Sequence, residues 1–538
     1  NYQDDFISDY RHLIDTLRIA NPQVRILIAR TTPIGVEHPR FESGTRDWQN
    51  EIQQAIDQVA KIANVELIDF HAPLYPFPHY FPDAVHPTAE GMRLLAETAY
   101  QAISGDYGGL SLPAIYSDGM VLQRGRPLTI RGRANAGDVV TLSFHGWRST
   151  TKANYLGAWE ITLPEQSAGG PYALEVRTRQ SKQHIQLRNV YVGEVWLCSG
   201  QSNMAFTFSQ SSDQEHHPLQ ADSLLRIYNM QPAHETTASA WPVSFLDSLD
   251  QLHYYLPTSW EGAHPNKTNI SAIAYHFARE LRDSLQIPVG IVVNAIGGAP
   301  TEAWIDRTTL EQQFPAILRQ WRKNDFIMPW VRERASQNLQ ARDTPSARHP
   351  YTPTYLYDVG IRPLSSYTFR GVLWYQGESN AHNIEVHERL FPLLVSSWRK
   401  TFTPSLPFYY VQLSSLDRPS WPAFRNSQRR LARPSDGVDM VVSMDHGNKA
   451  DVHPTTKYPI GHRLALLALS GQYGYNSLEA HSPELQHVEA LPQALRLTFA
   501  GTHELRTSDG AKLRGFEAVT YDGATHMLTG ALQGTTVT

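Results

Sequence analysis

The chain has 538 residues, 41% hydrophobic and 18% charged, with a formal net charge of −5 and an isoelectric point near 6.6. This composition suits three or four folded domains and excludes a disordered chain. No Lys/Arg run marks a nucleic-acid or anionic-membrane surface, no run of about 18 apolar residues would span a bilayer, and the single cysteine, Cys198, excludes an internal disulfide or a cysteine-based zinc site.

Residues 1–105 alternate helix and strand signals. Phe6, Tyr10, Leu13, Ile14 and Leu17 recur at helical spacing, and 47–63 and Gly91–Ala102 read as further helices. Val24–Ala29 and Val65–Phe70 are short buried-strand runs, so a parallel α/β unit is expected. Asn1 does not resemble a natural start and Gly534–Thr538 stops inside a strand-like run, which suggests a fragment of a longer protein. From 108 to 192 the helical period disappears. Leu128–Gly132, Val139–Phe144, Trp159–Leu163 and Tyr172–Val176 are β-rich runs separated by Gly, Pro and Asn, the pattern of a small β-sandwich, jelly-roll-like in character.

The α/β pattern returns at 193–478. Strands are expected at Glu194–Leu197, Val289–Val293, Gly371–Tyr375, Phe408–Leu413 and Asp439–Ser443, with helices at 271–285, 384–400 and 458–470. Residues 479–538 are β-like again, and their expected role is to complete the sandwich, since each β piece alone is small for a stable core. Neither an internal repeat nor a low-complexity tract interrupts this layout.

Within it, Ser202 sits in Cys198-Ser199-Gly200-Gln201-Ser202-Asn203-Met204, after an apolar strand and a glycine that permits a tight turn. A serine in that place, given a base, is a nucleophile whose neighbouring backbone N–H can help hold an oxyanion. Taken alone, Gly-x-Ser is more often a helix N-cap, and the stretch is not the G-x-S-x-G elbow. Three further stretches carry chemistry. Ala295–Trp304 places Gly297 and Gly298 after a strand, where a backbone N–H can approach a substrate carbonyl. Gly371–Asn380 ends an apolar strand in Gln376, Gly377 and Glu378, at the edge where open α/β sheets bind ligands. Asp451-Val452-His453-Pro454 offers His453 as a candidate general base, with Asp451 two residues earlier able to orient it, although a lone His–Pro in a loop usually carries no chemistry; Asp445 and His446 are the less favoured alternatives.

Val192–Met204, together with Ser117–Arg124 and the three later stretches, resembles the sialate O-acetylesterase family of the SGNH hydrolases, over about residues 110–525. The resemblance implies a flavodoxin-like three-layer hydrolase domain with catalytic Ser202, His453 and Asp451. It also implies oxyanion donors at Gly298 and Gln376 and supporting roles for Glu378, which could hold the histidine, bind a sugar hydroxyl or brace its loop, and for Asn203. The family usually has Thr where Ala299 stands. Asp83-Ala84-Val85-His86-Pro87 is similar to the last block of an ordinary SGNH domain, so 1–105 would be the later half of a first unit whose Asp83 and His86 lack their serine. No cofactor or metal is implied, and His216-His217 reads as a solvated pair. The expected partner is an O-acetylated carbohydrate, sialic acid glycans first and plant polysaccharides (xylan, xyloglucan or pectin) second, with neither nucleic acid nor a membrane span involved. A secreted or periplasmic location follows from the resemblance. A sialate requires a cation for its carboxylate, and Arg362 and Arg370 lie near the third stretch. An inactive glycan-binding protein is the alternative of another class.

Overall fold

The computed structural model describes residues 2–507 and 510–538; Asn1 lies outside the described residues. The first unit has helices Tyr2–Ala20, Thr45–Ala63 and Ala89–Ser104 around a parallel pair of strands, Leu27–Arg30 and Glu66–Asp69. Ile14, Ile28, Ile56, Val59 and Leu67 form its core. Thr88 caps the last helix by accepting the Gly91 N–H, the N-terminal device that Thr favours.

The next strands form two facing sheets. Leu128–Arg133 pairs with Ala158–Leu163, and Val139–Phe144 lies between Trp147–Lys152 and Gly169–Thr178. Val140, Leu142 and Phe144 are buried while their neighbours are not, the period-2 alternation of a sheet with one wet face. The last strand of this region, His184–Gly200, is 17 residues long. Its first part pairs with Gly169–Thr178 and Val121–Gln123, and its second part enters the central sheet of the hydrolase unit. The expected boundary at 192/193 therefore falls inside a continuous strand.

The central sheet runs Trp260–Ala263, Asp222–Asn229, Val289–Ala295, His184–Gly200, Gly371–Tyr375, Phe408–Val411, Val438–Val441. Every pairing is parallel except that of the Trp260–Ala263 edge. Asp222–Asn229 and Trp260–Ala263 were not among the strands expected. The first carries Asp222, Arg226 and Asn229 among its apolar residues, and the second is only four residues long, so neither gives the long apolar run of a central parallel strand. Alternate residues of His184–Gly200 serve opposite cores. Trp196 and Cys198 pack with helices Ala272–Leu285 and Tyr458–Tyr473, whereas Val195 and Leu197 join the core of helix Ile384–Thr401. The result is a three-layer α/β/α unit.

Arg307 joins the two α/β units. It donates to the carbonyls of Tyr75 (2.7 Å) and Ile34 (3.2 Å) while pairing with Glu311 at 2.6 Å. Strands within 484–537 pair with one another, and contacts from Arg429 to Glu484 (3.7 Å) and from His481 to Asp439 (2.7 Å) tie this region to the hydrolase unit. Among the described residues, no helix is long and apolar enough to cross a membrane.

Candidate active site

Four loops meet at the C-terminal edge of the central sheet. Strand His184–Gly200 ends in Gly200, whose φ is +138°. A Cβ there would stand 2.1 Å from the carbonyl oxygen of Tyr375, so only glycine lets the neighbouring strand end this close. The turn passes through Gln201 and begins a short helix, Ser202–Ala205. Ser202 is the first helical residue, so its N–H has no partner within the helix. Gln201 Oε1 accepts the N–H groups of Ser379 (3.3 Å) and Gly377 (3.5 Å), fastening the third loop to the nucleophile turn.

Ser202 Oγ and His453 Nε2 are 2.7 Å apart, which suits proton transfer. Burial, and after it the charge of Lys457, holds the His453 imidazole below its ordinary pKa, while Asp451 pulls the other way. That keeps the ring neutral and able to accept a proton. Asp451 is placed differently from an orienting acid in direct contact. Its Oδ1 accepts the His453 backbone N–H at 2.8 Å but stands 3.8 Å from Nδ1. Asp445 is held instead by Arg463 at 2.6 Å, with His446 beside it at 3.4 Å.

Asn203 is 1% exposed and joins three segments. Its Nδ2 donates to Glu378 Oε1 (2.6 Å) and to the carbonyl of Val452 (3.0 Å), and its Oδ1 accepts from Lys457 Nζ (2.6 Å). Glu378 therefore grips Asn203, one residue past the nucleophile. Its other oxygen is buried without a partner among the described residues, and burial raises its pKa. Lys457 is 1% exposed, lies 4.4 Å over the Phe206 ring, and is drawn down to about 7 by burial. Asp213 Oδ2 accepts the N–H groups of Lys457 and Tyr458, both at 2.9 Å, which fixes the helix that follows the His453 loop. His217 stacks on Tyr458 with ring centres 3.4 Å apart. Gln201, Lys457 and Asp213 were not singled out from sequence; a buried lysine in a loop carries no local pattern.

Gly298 has φ +71°, and a Cβ on it would meet Tyr351 Oη at 2.2 Å and Trp330 at 2.6 Å. Ser379 Oγ donates to the Gly298 carbonyl (2.9 Å), and Tyr351 and Thr236 donate to that of Gly297 (2.7 and 2.9 Å). With the Gly297 carbonyl held, the peptide plane that it shares with the Gly298 N–H is fixed, and no acceptor for that N–H occurs among the described residues. Gln376 is committed elsewhere. Its Nε2 donates to Asn380 Oδ1 (2.6 Å) and the Ala299 carbonyl (3.3 Å), and its Oε1 accepts from Thr301 (2.7 Å). Asn380 also donates to buried Glu302 at 3.0 Å, whose carboxyl burial pushes up to about 7.

Arg370 lies at the opposite edge of the sheet, 2.7 Å from buried Glu194, and Arg362 stands 3.9 Å from Asp358. In the first unit, Asp83 Oδ2 is 2.7 Å from His86 Nδ1, with the two side chains 56% and 82% exposed. The backbone N–H of His86, more than its ring, lowers the Asp83 pKa. Among the described residues, no group of three His, Cys, Asp or Glu is disposed to hold a metal ion.

Residues 1–94 match the GDSL-like lipase/acylhydrolase family, and residues 192–326 and 351–470 match the carbohydrate esterase, sialic acid-specific acetylesterase family. Sialate O-acetylesterase of Mus musculus is 30% identical over 385 residues, covering 65% of this chain and 70% of its own length. That of Rattus norvegicus is 28% identical over 470 residues, covering 79% and 85%. A solved carbohydrate acetylesterase from Xanthomonas citri superposes with a TM-score of 0.64 at 29% identity, covering 80% of this chain and 90% of that one.

Proposed function

Since the chain belongs to the sialate O-acetylesterase family, we propose that it removes acetyl groups from the hydroxyls of sialic acids through an acetyl-enzyme on Ser202. It is a carboxylic-ester hydrolase of the carbohydrate esterase class. The observation that carries the residue assignment is the 2.7 Å contact between Ser202 Oγ and His453 Nε2.

Neutral His453 takes the hydroxyl proton as Ser202 Oγ attacks the acetyl carbonyl. The charge that builds on the carbonyl oxygen is met by the N–H groups of Ser202 and Gly298, for which no acceptor occurs among the described residues and which are held by the turns around them. Collapse expels the sugar alkoxide, which receives the proton from His453. Water, deprotonated by the same ring, then attacks the acetyl carbonyl; the bond to Ser202 Oγ breaks, Oγ takes the proton back from His453, and acetate leaves. Gln376 acts behind this site, where its amide group sets the loop carrying Gly298 and Ala299. Glu378 and Asn203 keep the turn of Ser202 against the loop of His453. Asp451 steadies that loop through the backbone and adds a partly screened charge. Asp83 and His86 are assigned to a separate, first-unit site. Residues 1–105, 108–192, 193–478 and 479–538 remain the proposed units, and an extracellular or periplasmic location suits an enzyme acting on glycans.

The test is acetate release from O-acetylated N-acetylneuraminic acid and from acetylated xylan, by wild type and Ser202→Ala. Release from the sialic acid, lost in the variant, supports the reading. Equal rates in the two proteins would sink the assignment of Ser202, and release from xylan alone would move the substrate to neutral polysaccharides.

A further inference from the structure

What distinguishes a sialic acid from a neutral acetylated sugar is an ionised carboxylate, and a site selecting for it needs an unneutralised cation within reach of the reacting ester. Most candidates are already occupied. Arg370 is paired with Glu194, Arg362 stands by Asp358, and the Lys457 ammonium is buried and faces the charges of Glu378 and Asp213.

Arg334 differs. It lies one helical turn after Trp330 on helix Pro329–Asn338, and its guanidinium carbon stands 5.1 Å from the centre of the indole. The same indole packs on Gly298, with a ring carbon 2.6 Å from where a Cβ would be, yet the residue is 39% exposed. One nitrogen of Arg334 donates to the Thr236 carbonyl at 2.7 Å, and the Thr236 hydroxyl donates to the Gly297 carbonyl at 2.9 Å. The guanidinium is thus two hydrogen bonds from the oxyanion loop. Its other bond goes to the neutral amide of Gln337, at 3.3 Å. Among the described residues no carboxylate reaches ion-pair distance of it. Glu235, whose charge is felt with that of Arg334 at Tyr351, is exposed.

We propose that Arg334, seated over Trp330, receives the carboxylate of the sialic acid whose ester carbonyl lies at Gly298. This rests on the esterase reading of the same site. A guanidinium fork matches a carboxylate in two parallel hydrogen bonds, and the indole offers an apolar face to the rest of the sugar. The backbone bond to Thr236 couples the position of the cation to that of the oxyanion loop.

The test compares Arg334→Gln and Arg334→Lys with wild type on O-acetylated N-acetylneuraminic acid and on its methyl ester, which lacks the charge. Turnover of an aryl acetate in parallel reports folded, active protein. In wild type the free acid is preferred over the methyl ester. In Arg334→Gln that preference falls roughly 10- to 100-fold, the size of a hydrogen bond to a charged group, with most of the change in KM; Arg334→Lys falls between. If wild type deacetylates the acid and Arg334→Gln keeps its preference, the inference is overturned and the esterase reading stands. If wild type turns over aryl acetate but not the acid, both the substrate and this subsite are wrong.

Discussion

Asp451 accepts the backbone N–H of His453 at 2.8 Å, yet its carboxylate stands 3.8 Å from the imidazole Nδ1. The Asp83–His86 pair of the first unit does both jobs at once, with 2.7 Å to the backbone N–H and 2.7 Å to Nδ1. Spacing accounts for the difference. In Asp-x-x-His the chain turns back far enough to bring the ring over the carboxylate. In Asp-x-His the carboxylate is spent on the backbone.

Asp451→Asn should therefore be mild. The Asp451 side chain is 59% exposed, and an ion pair of that exposure contributes about 0–1 kcal/mol, or roughly fivefold at most. His453→Ala should cost about 10²- to 10⁴-fold in kcat, the usual share of a general base. Steady-state kinetics on one acetyl ester compares the two, and equal losses would show Asp451 to be a full partner of the ring.

Lys457 should hold the acid limb of the pH profile lower than burial of His453 alone would. The groups facing His453 are Lys457, which lowers its pKa, Asp451, which raises it, and the uncharged Ser202 and Phe206. Removing the ammonium in Lys457→Met lets the imidazole hold its proton to higher pH. The acid limb of kcat/KM moves upward, and the plateau falls because Asn203 loses a partner. A lower plateau with an unmoved limb would leave Lys457 only a structural strut.

Gly298→Ala should remove kcat more than KM. The added methyl meets Tyr351 and Trp330 and strains a positive φ, so the loop shifts and its N–H leaves the oxyanion. Loss of one such donor costs about 10²- to 10³-fold. Unchanged kcat in folded protein would place the donor elsewhere.

Arg307→Ala should loosen the first unit. Arg307 and Glu311 are 5% and 8% exposed, and breaking a buried pair costs about 3–5 kcal/mol. Hydrogen exchange in residues 26–34 and 65–80 should accelerate beyond that of the central sheet. Equal protection across both units would mean that their union does not depend on Arg307.

Local chemistry made much of this molecule legible in sequence. The apolar strands Val289–Ala295, Gly371–Tyr375 and Phe408–Val411 are buried throughout, and such runs need no knowledge of their neighbours to be found. The ordered stretches around Ser202, Gly298, Glu378 and His453 identified the loops that meet at the site. Two strands of the central sheet escaped because one is interrupted by charge and the other is short. Glu378 was left with several roles because a carboxylate in a loop takes its partner from whatever chain folds beside it.

Sequence alone determined that Ser202 follows a strand and a permissive glycine, and that His453 belongs to a loop before a final helix. Tertiary structure decided how they are joined. Parallel strands bring Gly200 so close to Tyr375 that no Cβ fits at that position. Asn203 reaches Glu378, Val452 and Lys457 across 175, 249 and 254 residues of chain. Bonds over such separations come from the closing of a sheet and its helices, which no local spacing encodes.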